Sequence, residues 1–351
     1  MKKIFKGMLV LTVGLLLTGC GNNNNTDEST KIEQPAENEN NIFDVSSDKV
    51  NLYQESVKSV VRIEAGNQIG SGVVYKKESG LAYIITNAHV ITDKTGNDYS
   101  NDIEVIFHDF SKVKGTFIGL DKNKDVAVIS IADNSSCTVA KIVERDNQVV
   151  VGESVYAIGN PFGEYFSVTD GVISNNRWKT TTDYISGTTE TKTFVYNATA
   201  TINSGNSGGP LFNSKGEVIS INTMQPADSS MRNFNYSIPV NYFIKVANHI
   251  VKNKTSYVDP KIAIEGKSVC GFSVENLTTL GVTVKNGVYV TKSSEMGINQ
   301  GRIITKVNGN VVETFEDYEF ELLKYNVGET ITIVTTDIIG SNERTVNIVL
   351  R

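Results

Sequence analysis

The sequence contains few of the residues that bind metals or cross-link small domains. Among its 351 residues there are only three histidines and three cysteines. No His/Cys group has the spacing of a metal site, so we expect neither a metal nor another cofactor. Cys137 and Cys270 fall in different predicted domains, which argues against a disulfide framework.

Clustered positive charge is also lacking. The chain has 33 Lys and Arg against 39 Asp and Glu, and its formal net charge is −6. An acidic chain without a basic cluster excludes nucleic acid as an expected partner. The 39% hydrophobic and 21% charged content is ordinary for a globular protein, and the length favours about two domains.

A long apolar run is missing as well. The apolar stretch from Gly7 to Leu17 is shorter than the roughly 20 residues of a spanning helix, and it follows the basic segment Met1–Lys6. This pattern predicts a signal peptide over residues 1–19. The end of this segment, Leu17–Cys20, resembles the bacterial lipobox. The resemblance implies cleavage before Cys20 and lipid attachment to its thiol, which would anchor a lipoprotein on the extracytoplasmic face of the cell membrane. The alternative is an ordinary signal peptide with a chance cysteine.

The next segment, residues 20–47, is rich in Asn, Glu, Ser and Thr. Such a composition cannot bury enough apolar surface to fold, so we expect a flexible tether. From residue 48 onward, apolar residues recur with helical spacing and then in many short strands, which is typical of a sandwich or barrel. We expect turns at Gly70–Gly72 and Asp170–Gly171, and a long polar loop over residues 175–193.

A glycine-rich turn, Asn203–Leu211, contains the pattern Gly205-x-Ser207-x-Gly209. A serine hydroxyl becomes a nucleophile only beside a base, and it needs N–H groups directed at the developing oxyanion. Gly205 gives the backbone freedom to direct its own N–H and that of Ser207 toward one point. Taken alone, the pattern fits equally well a glycine-rich loop with an incidental serine.

A base and an orienting acid occur at suitable places in the chain. His89 follows an apolar strand, and Asp125 comes directly before the strand Val126–Ile131. These residues and Ser207 predict a catalytic triad in the order His, Asp, Ser. Asp121 competes with Asp125 for the acidic role. The remaining histidines, His108 and His249, lie on a predicted strand and a predicted helix, where core or surface roles fit better.

The same serine pattern also matches the nucleophile turn of α/β-hydrolases. In those enzymes the order is Ser, acid, His, and a helix follows the serine directly. Here a Gly-Gly-Pro segment and β-rich sequence follow Ser207, and the only later histidine is His249. The α/β-hydrolase interpretation therefore fails.

Four motifs together resemble the HtrA (Deg) family of trypsin-fold serine proteases. They are Thr86–Val90, Asp125–Val128, Ala157–Gly163 and Gly205–Leu211. The resemblance implies a mostly β fold, with a trypsin-like double β-barrel over residues 48–252. It also implies that Asp125 rather than Asp121 is catalytic, that Gly205 and Ser207 form the oxyanion hole, and that the 175–193 loop is regulatory. Unfolded or misfolded exported proteins are the implied substrates, and a homotrimer is a possible assembly.

The sequence lacks an acid near the predicted specificity pocket. Trypsin-like enzymes place an aspartate six residues before the serine, where this chain has Thr201, and no acid occurs between Asn197 and Ser207. A buried lysine or arginine side chain would have no partner, so cleavage after these residues is disfavoured. We expect small aliphatic residues instead, in a pocket with Thr201, Ile221 and Thr223 as candidate lining residues.

Residues 258–351 are predicted to form an α+β domain that resembles a PDZ domain. Its expected helix, Thr314–Tyr325, begins with a variant capping box at Thr314 and Asp317. The resemblance implies binding of a peptide C-terminus, and the candidates for the carboxylate loop are Val269, Cys270, Gly271 and Phe272. An alternative function follows from this domain: a non-catalytic, lipid-anchored, PDZ-like peptide-binding scaffold.

Overall fold

A computed structural model gives the structure of the protein. It describes residues 48–92, 99–134, 136–143, 149–182, 192–224 and 235–351, with the backbone alone at 177–182, 192–194 and 224. The predicted signal peptide, Cys20 and the predicted tether lie outside the described residues. Within the described ranges, no helix is both long and apolar enough to cross a membrane. The described residues belong to one compact unit.

Six antiparallel strands close into a first barrel. They are β1 (Val60–Ala65), β2 (Gln68–Glu78), β3 (Leu81–Thr86), β4 (Ile103–Ile106), β5 (Lys112–Asp121) and β6 (Val126–Ala132). Their order around the barrel is β1-β2-β3-β6-β5-β4, and β4 pairs with β1 to close it. Helix α1 (Asp48–Ser56) precedes the barrel, and the one-turn helix α2 (Ala88–Ile91) follows β3.

A second barrel follows in the chain. Its strands are β7 (Lys141–Ile142), β8 (Ser154–Gly159), β9 (Ser167–Thr182), β10 (Lys192–Ala198), β11 (Pro210–Asn213), β12 (Glu217–Met224) and β13 (Asn235–Pro239). Strands β11-β8-β9-β10-β13-β12 form the ring, which closes where β11 pairs with β12, and β7 adds to β12 in parallel. Helix α3 (Val240–Asn253) comes next. The predicted double β-barrel is confirmed.

Strand β6 is buried on both faces. Val126 and Val128 pack in a core that includes the second barrel and α3, whereas Ala127 and Ile129 pack inside the first barrel. Because successive side chains of a strand point to opposite faces, one strand can serve two cores. The turn that enters β6 therefore lies where the two barrels meet, and this turn carries Asp125.

Two turns predicted from glycine lie inside strands instead. Gly70–Gly72 belongs to β2 and Asp170–Gly171 to β9, so both turn predictions are wrong. A Cβ at Gly72 would lie 2.8 Å from side-chain atoms of Ile63 and Ile84, and one at Gly171 would lie 2.2 Å from a backbone nitrogen. These glycines permit close packing, which is the other common reason for glycine in a strand. Strands β9 and β10 also take up part of the predicted 175–193 loop, whose centre lies outside the described residues.

The last part of the chain is α+β, as predicted. Its elements are β14 (Ile264–Ser268), α4 (Val274–Leu280), β15 (Val288–Ser293), β16 (Ile303–Val307), β17 (Asn310–Val311), α5 (Phe315–Leu323), β18 (Thr330–Thr336) and β19 (Arg344–Val349). The sheet order is β14-β15-β16-β18-β19, with β17 on β16. The predicted capping box is present, because the Thr314 hydroxyl accepts the Asp317 N–H and the Asp317 carboxylate accepts the Thr314 N–H, both at 3.0 Å.

Candidate active site

His89 and Asp125 form a direct pair at the junction of the barrels. Nδ1 of His89 lies 2.9 Å and 3.0 Å from the two carboxylate oxygens of Asp125, and the backbone N–H of His89 donates to Oδ1 at 3.0 Å. The Asp125 side chain is buried, whereas that of His89 is 24% exposed. A carboxylate on Nδ1 favours the tautomer that carries its proton there, so Nε2 is left as the basic nitrogen.

The backbone at Asp125 has an unusual conformation that its neighbours stabilise. Its φ angle is +53°, in the left-handed region that few residues other than glycine adopt. Asn87, directly before α2, donates its side-chain N–H to the Asp125 carbonyl at 2.9 Å. The Thr223 hydroxyl donates to Asp125 Oδ2 at 2.7 Å. The turn and the carboxylate are therefore each held by a separate buried contact.

Ser207 lies in the tight turn between β10 and β11. Its hydroxyl donates to the Thr223 carbonyl at 3.0 Å, and its own carbonyl accepts the Ser71 N–H at 2.9 Å. Thr223 thus contacts Asp125 through its side chain and Ser207 through its backbone. The structure brings together the three residues of the predicted triad around Thr223.

The backbone around Gly205 suits the stabilisation of an oxyanion. Gly205 has a φ of +106°, and a Cβ there would lie 2.1 Å from the Asn160 carbonyl oxygen, so no other residue fits. The Ser204 carbonyl accepts the Phe162 N–H at 2.8 Å. Because a trans peptide points its N–H opposite to its carbonyl, this contact directs the Gly205 N–H away from Phe162. Within the part of the chain that the structure describes, the N–H groups of Gly205 and Ser207 have no acceptor, which leaves both available to substrate.

Three buried polar residues that support the serine turn escaped the sequence analysis as site residues. The Ser71 hydroxyl donates to the Gly205 carbonyl at 2.7 Å and accepts the backbone and side-chain N–H groups of Asn160 at 3.0 Å and 2.9 Å. Thr86 Oγ1 in turn donates to the Ser71 carbonyl at 2.7 Å. The signals were a serine between two glycines in a strand and the asparagine of the Ala157–Gly163 motif.

The three candidate residues for the specificity pocket lie in different surroundings. Thr201 is exposed, and its carbonyl accepts the Thr169 hydroxyl at 2.8 Å. Ile221 is fully buried in the core shared by the barrels. Only Thr223 contacts the triad, through Asp125 and Ser207.

Asp121, the competing aspartate, is directed away from His89. It is fully buried at the end of β5, and its carboxylate accepts backbone N–H groups of Asn123, Lys124 and Tyr257. The structure therefore pairs Asp125, not Asp121, with the imidazole. His249 is partly buried on α3, with its ring nitrogens beside Thr255 and Asn253.

A groove in the C-terminal domain runs between β14 and α5 and has a volume of about 260 Å³. Its lining residues are Asp259, Pro260, Lys261, Ile262, Ile264, Phe315, Tyr318, Glu319, Leu322 and Leu323. The predicted carboxylate-loop residues lie elsewhere, because Val269, Cys270 and Gly271 form a short 3-10 turn after β14 and Phe272 follows it. Val269 is fully buried, and Phe272 packs edge-on against Tyr289.

The chain is similar to known proteases in sequence and in fold. A family model for the trypsin-like peptidase domain matches residues 70–221. A "Serine protease HtrA-like" protein of Staphylococcus aureus is 28% identical, with 98% of this chain and 47% of the relative covered. A "Serine protease Do-like HtrA" of Lactobacillus helveticus is 34% identical over 75% of this chain and 64% of the relative. Among solved structures, the HtrA-type protease AlgW with a tripeptide matches 87% of this chain and 97% of its own, with a TM-score of 0.62 and 24% identity.

The chain spans about half the length of the Staphylococcus relatives that it matches. The AlgW likeness concerns the fold, and the matched peptidase model spans the region of this chain that holds His89, Asp125 and Ser207. In sequence and in fold, the chain is similar to the trypsin-like serine proteases named HtrA.

Proposed function

We propose that the protein is a serine endopeptidase in which Ser207 is the nucleophile, His89 the general base and Asp125 the residue that orients His89. One observation carries the proposal: Asp125 accepts the His89 imidazole at 2.9 Å, and Thr223 contacts both Asp125 and Ser207. The arrangement matches the division of roles in a Ser-His-Asp triad.

The reaction begins when the Ser207 hydroxyl turns from the Thr223 carbonyl toward Nε2 of His89. Oγ attacks the peptide carbonyl carbon while Nε2 takes the proton, and Asp125 stabilises the resulting imidazolium. The N–H groups of Gly205 and Ser207 stabilise the oxyanion of the tetrahedral intermediate. His89 then gives the proton to the leaving amine as the C–N bond breaks. Water then attacks the acyl carbon while His89 takes its proton, and His89 returns that proton to Ser207 Oγ as the bond between the acyl carbon and Oγ breaks.

Covalent labelling with a fluorophosphonate, combined with digestion of casein, tests this function. The parent protein should be labelled and should cleave casein, whereas Ser207→Ala should do neither. Ser214→Ala is the matched control, because Ser214 is exposed in the turn after β11 and should react like the parent. Equal labelling of Ser207→Ala and parent would refute the assignment. A parent that binds peptides but shows neither labelling nor cleavage would instead favour the scaffold alternative.

The substrates that we propose are unfolded or misfolded exported proteins, cut after small aliphatic residues such as Val or Ala. Thr201 stands six residues before Ser207, and the sequence places no acid between Asn197 and Ser207. A lysine or arginine side chain would therefore enter the pocket unpaired, at a cost that corresponds to about 100-fold or more in rate. Peptides that differ only at the residue before the cleaved bond check this. Faster cleavage after Arg than after Val would contradict it.

Cys20 is the proposed site of lipid attachment, and the cell membrane the proposed location. The support is the Leu17–Cys20 sequence after a signal-like segment. Cys20→Ser should move the protein from the membrane fraction to the soluble or secreted fraction. Unchanged membrane association of Cys20→Ser would rule out the lipid as the anchor.

We further propose that the C-terminal domain is PDZ-like and binds peptide C-termini in the groove between β14 and α5. β14 is the edge strand of its sheet, so a peptide can add to it as a further strand. Ile262 and Ile264 offer apolar contacts, and Lys261 offers a positive charge for a carboxylate. Titration of a labelled peptide with a free or an amidated C-terminus checks this, and equal affinity for the two would contradict it.

A homotrimer is the proposed assembly. Its support is an exposed aromatic patch at Phe110 and Tyr165; Phe110 is 62% exposed, and Phe162, three residues before Tyr165 in the chain, is 77% exposed. Tyr165, 43% exposed, lies 5.4 Å from Phe110 between ring centres, and Arg62 stacks over it at 4.5 Å. Such a patch is typical of an interaction surface. Sedimentation of the parent and of Phe162→Ser should show a trimer that the substitution weakens, and a parent that sediments as a monomer would refute this assembly.

A further inference from the structure

Asp121 is a fully buried acid that the proposed reaction does not use. Its Oδ1 accepts the backbone N–H groups of Asn123 and Lys124 at 3.1 Å and 3.2 Å. These bonds fix the four-residue turn between β5 and β6, which ends at Asp125. Asp125 has a positive φ, and the surroundings must hold a residue in that conformation. Asp121 thus supports the middle residues of the turn, and Asn87 supports its last residue through the Asp125 carbonyl.

The second oxygen of Asp121 binds a different part of the chain. Oδ2 accepts the backbone N–H of Tyr257 at 2.9 Å. Tyr257 belongs to residues 254–260, here called the linker, which connects α3 to the C-terminal domain. A buried carboxylate needs compensating donors, so loss of the Tyr257 N–H would leave Asp121 poorly satisfied.

Lys124, the residue directly before Asp125, joins the same contacts. Its ammonium lies 3.9 Å from Asp121 Oδ2 and 3.4 Å from Asp259 Oδ2, and its side chain is 11% exposed. Asp259 is a linker residue, and it also accepts the hydroxyl of Tyr242 on α3 at 3.0 Å. Burial, with a contribution from Asp259, raises the pKa of Tyr242 well above its usual range, so the hydroxyl stays a donor at neutral pH.

The linker therefore meets the turn of Asp125 at two points, and it also reaches the groove. Asp259 and Pro260 line one end of the groove between β14 and α5. Lys245 on α3 donates to the carbonyls of Leu323 and Tyr325 at the end of α5. These contacts connect the C-terminal domain to the turn by hydrogen bonds and ion pairs, with α3 as a common support.

We propose that Asp121 and Lys124 are positioning residues for Asp125, and that turnover at Ser207 depends on the linker being bound to them. With the linker bound, Asp121 accepts the N–H groups of the turn, and the Asp125 carboxylate binds the imidazole of His89. When the linker is released, Asp121 loses a donor, the turn relaxes and Asp125 no longer orients the imidazole. The inference rests on the proposed protease function. It predicts a loss in kcat, because the groups that bind substrate are not part of this network.

A matched pair of linker variants tests the contact. Tyr257→Pro removes both the ring and the N–H that Asp121 accepts, whereas Tyr257→Ala removes the ring and keeps the N–H. Cleavage of a short peptide is measured, and kcat is expressed per active site titrated with a fluorophosphonate. We expect kcat of the proline variant to be about tenfold below that of the alanine variant, as for one lost hydrogen bond to a charged group, with similar KM.

Equal kcat per active site in the two linker variants would overturn the proposal, as would a difference that appears only in KM. A purely structural role would lower the number of active sites and leave kcat per site unchanged. If the proline variant does not fold, Asp121→Asn decides instead. It keeps an acceptor for the turn but turns an NH₂ group toward the Tyr257 N–H, so kcat should fall about tenfold at similar KM. A kcat equal to that of the parent overturns the proposal.

The outcome is separable from that of the proposed function. If the parent protein neither reacts with the fluorophosphonate nor cleaves peptides, the protease function fails. If the parent is labelled at Ser207 and cleaves peptides, but Tyr257→Pro and Tyr257→Ala have equal kcat per active site, only the proposed role of the linker fails.

Discussion

The active site and the C-terminal groove are built from opposite kinds of contact. Around Ser207, buried polar groups of Ser71, Asn160 and Thr223 meet in a chain of hydrogen bonds between 2.7 Å and 3.0 Å. The groove is lined mainly by apolar side chains such as Ile262 and Leu322, beside β14, the edge strand of the sheet among the described residues.

This difference determines how each site should respond to change. Removing one member of a buried polar network leaves its hydrogen-bond partner unsatisfied. The loss of function is therefore large, and it affects the neighbouring residues as well. Apolar contacts contribute roughly in proportion to the area that they bury, so the loss from one side chain is smaller and local. The effects of substitutions in the two regions should therefore differ in size and in how nearly they add.

The largest expected effect is on the triad itself. His89→Ala and Ser207→Ala should each lower kcat by about 10⁶-fold, and the double variant should be no slower than either, because the members act as a unit. Single-turnover cleavage of a peptide ester measures all three. Losses that multiply in the double variant would mean that the two residues act independently.

Thr223→Val should have an intermediate effect. Valine keeps the shape but removes the hydroxyl that donates to Asp125 at 2.7 Å. A hydrogen bond to a charged group corresponds to about 2 kcal/mol, or about 30-fold in kcat. Thr223→Ser, which keeps the hydroxyl, is the control and should recover most of the loss. If Val and Ser are equally slow, the hydroxyl does not support Asp125.

The smallest expected effect is in the groove. Ile264→Asp should weaken binding of a peptide with a free C-terminus by about tenfold, because part of an apolar contact is lost. Cys270→Asp is the matched control, because Cys270 is exposed on the 3-10 turn outside the groove. If Cys270→Asp weakens binding more than Ile264→Asp does, then the loop predicted from sequence, Val269–Phe272, holds the peptide after all.

The sequence predicted the triad residues that the structure brings together, because that chemistry requires particular polar residues at strand ends. His89 follows β3, and Asp125 precedes β6, so each could be placed by the strand beside it. Ser71 was missed because its neighbouring glycines indicate a turn, whereas Gly72 is there for close packing against Ile63 and Ile84.

The groove could not be located in the same way. Its lining comes from β14, α5 and the end of the linker, and these are separated by about fifty residues of chain that contribute nothing to it. Isoleucine and leucine have no signature that distinguishes a groove from a core. The contacts of Asp121 with Tyr257 likewise join residues that are far apart in sequence, and only the folded chain brings them together.

The most direct test of the account compares Asp125→Asn with Asp121→Asn under one set of conditions, with kcat for a short peptide as the measured quantity. Asp125→Asn should lower kcat about 10⁴-fold, because Asp125 orients His89, as for the same change in another triad enzyme. Asp121→Asn should lower kcat only about tenfold, because Asp121 acts on Asp125 through the turn. If Asp121→Asn proves the more damaging of the two, or if both leave kcat at the parental value, the assignment of the catalytic centre is wrong.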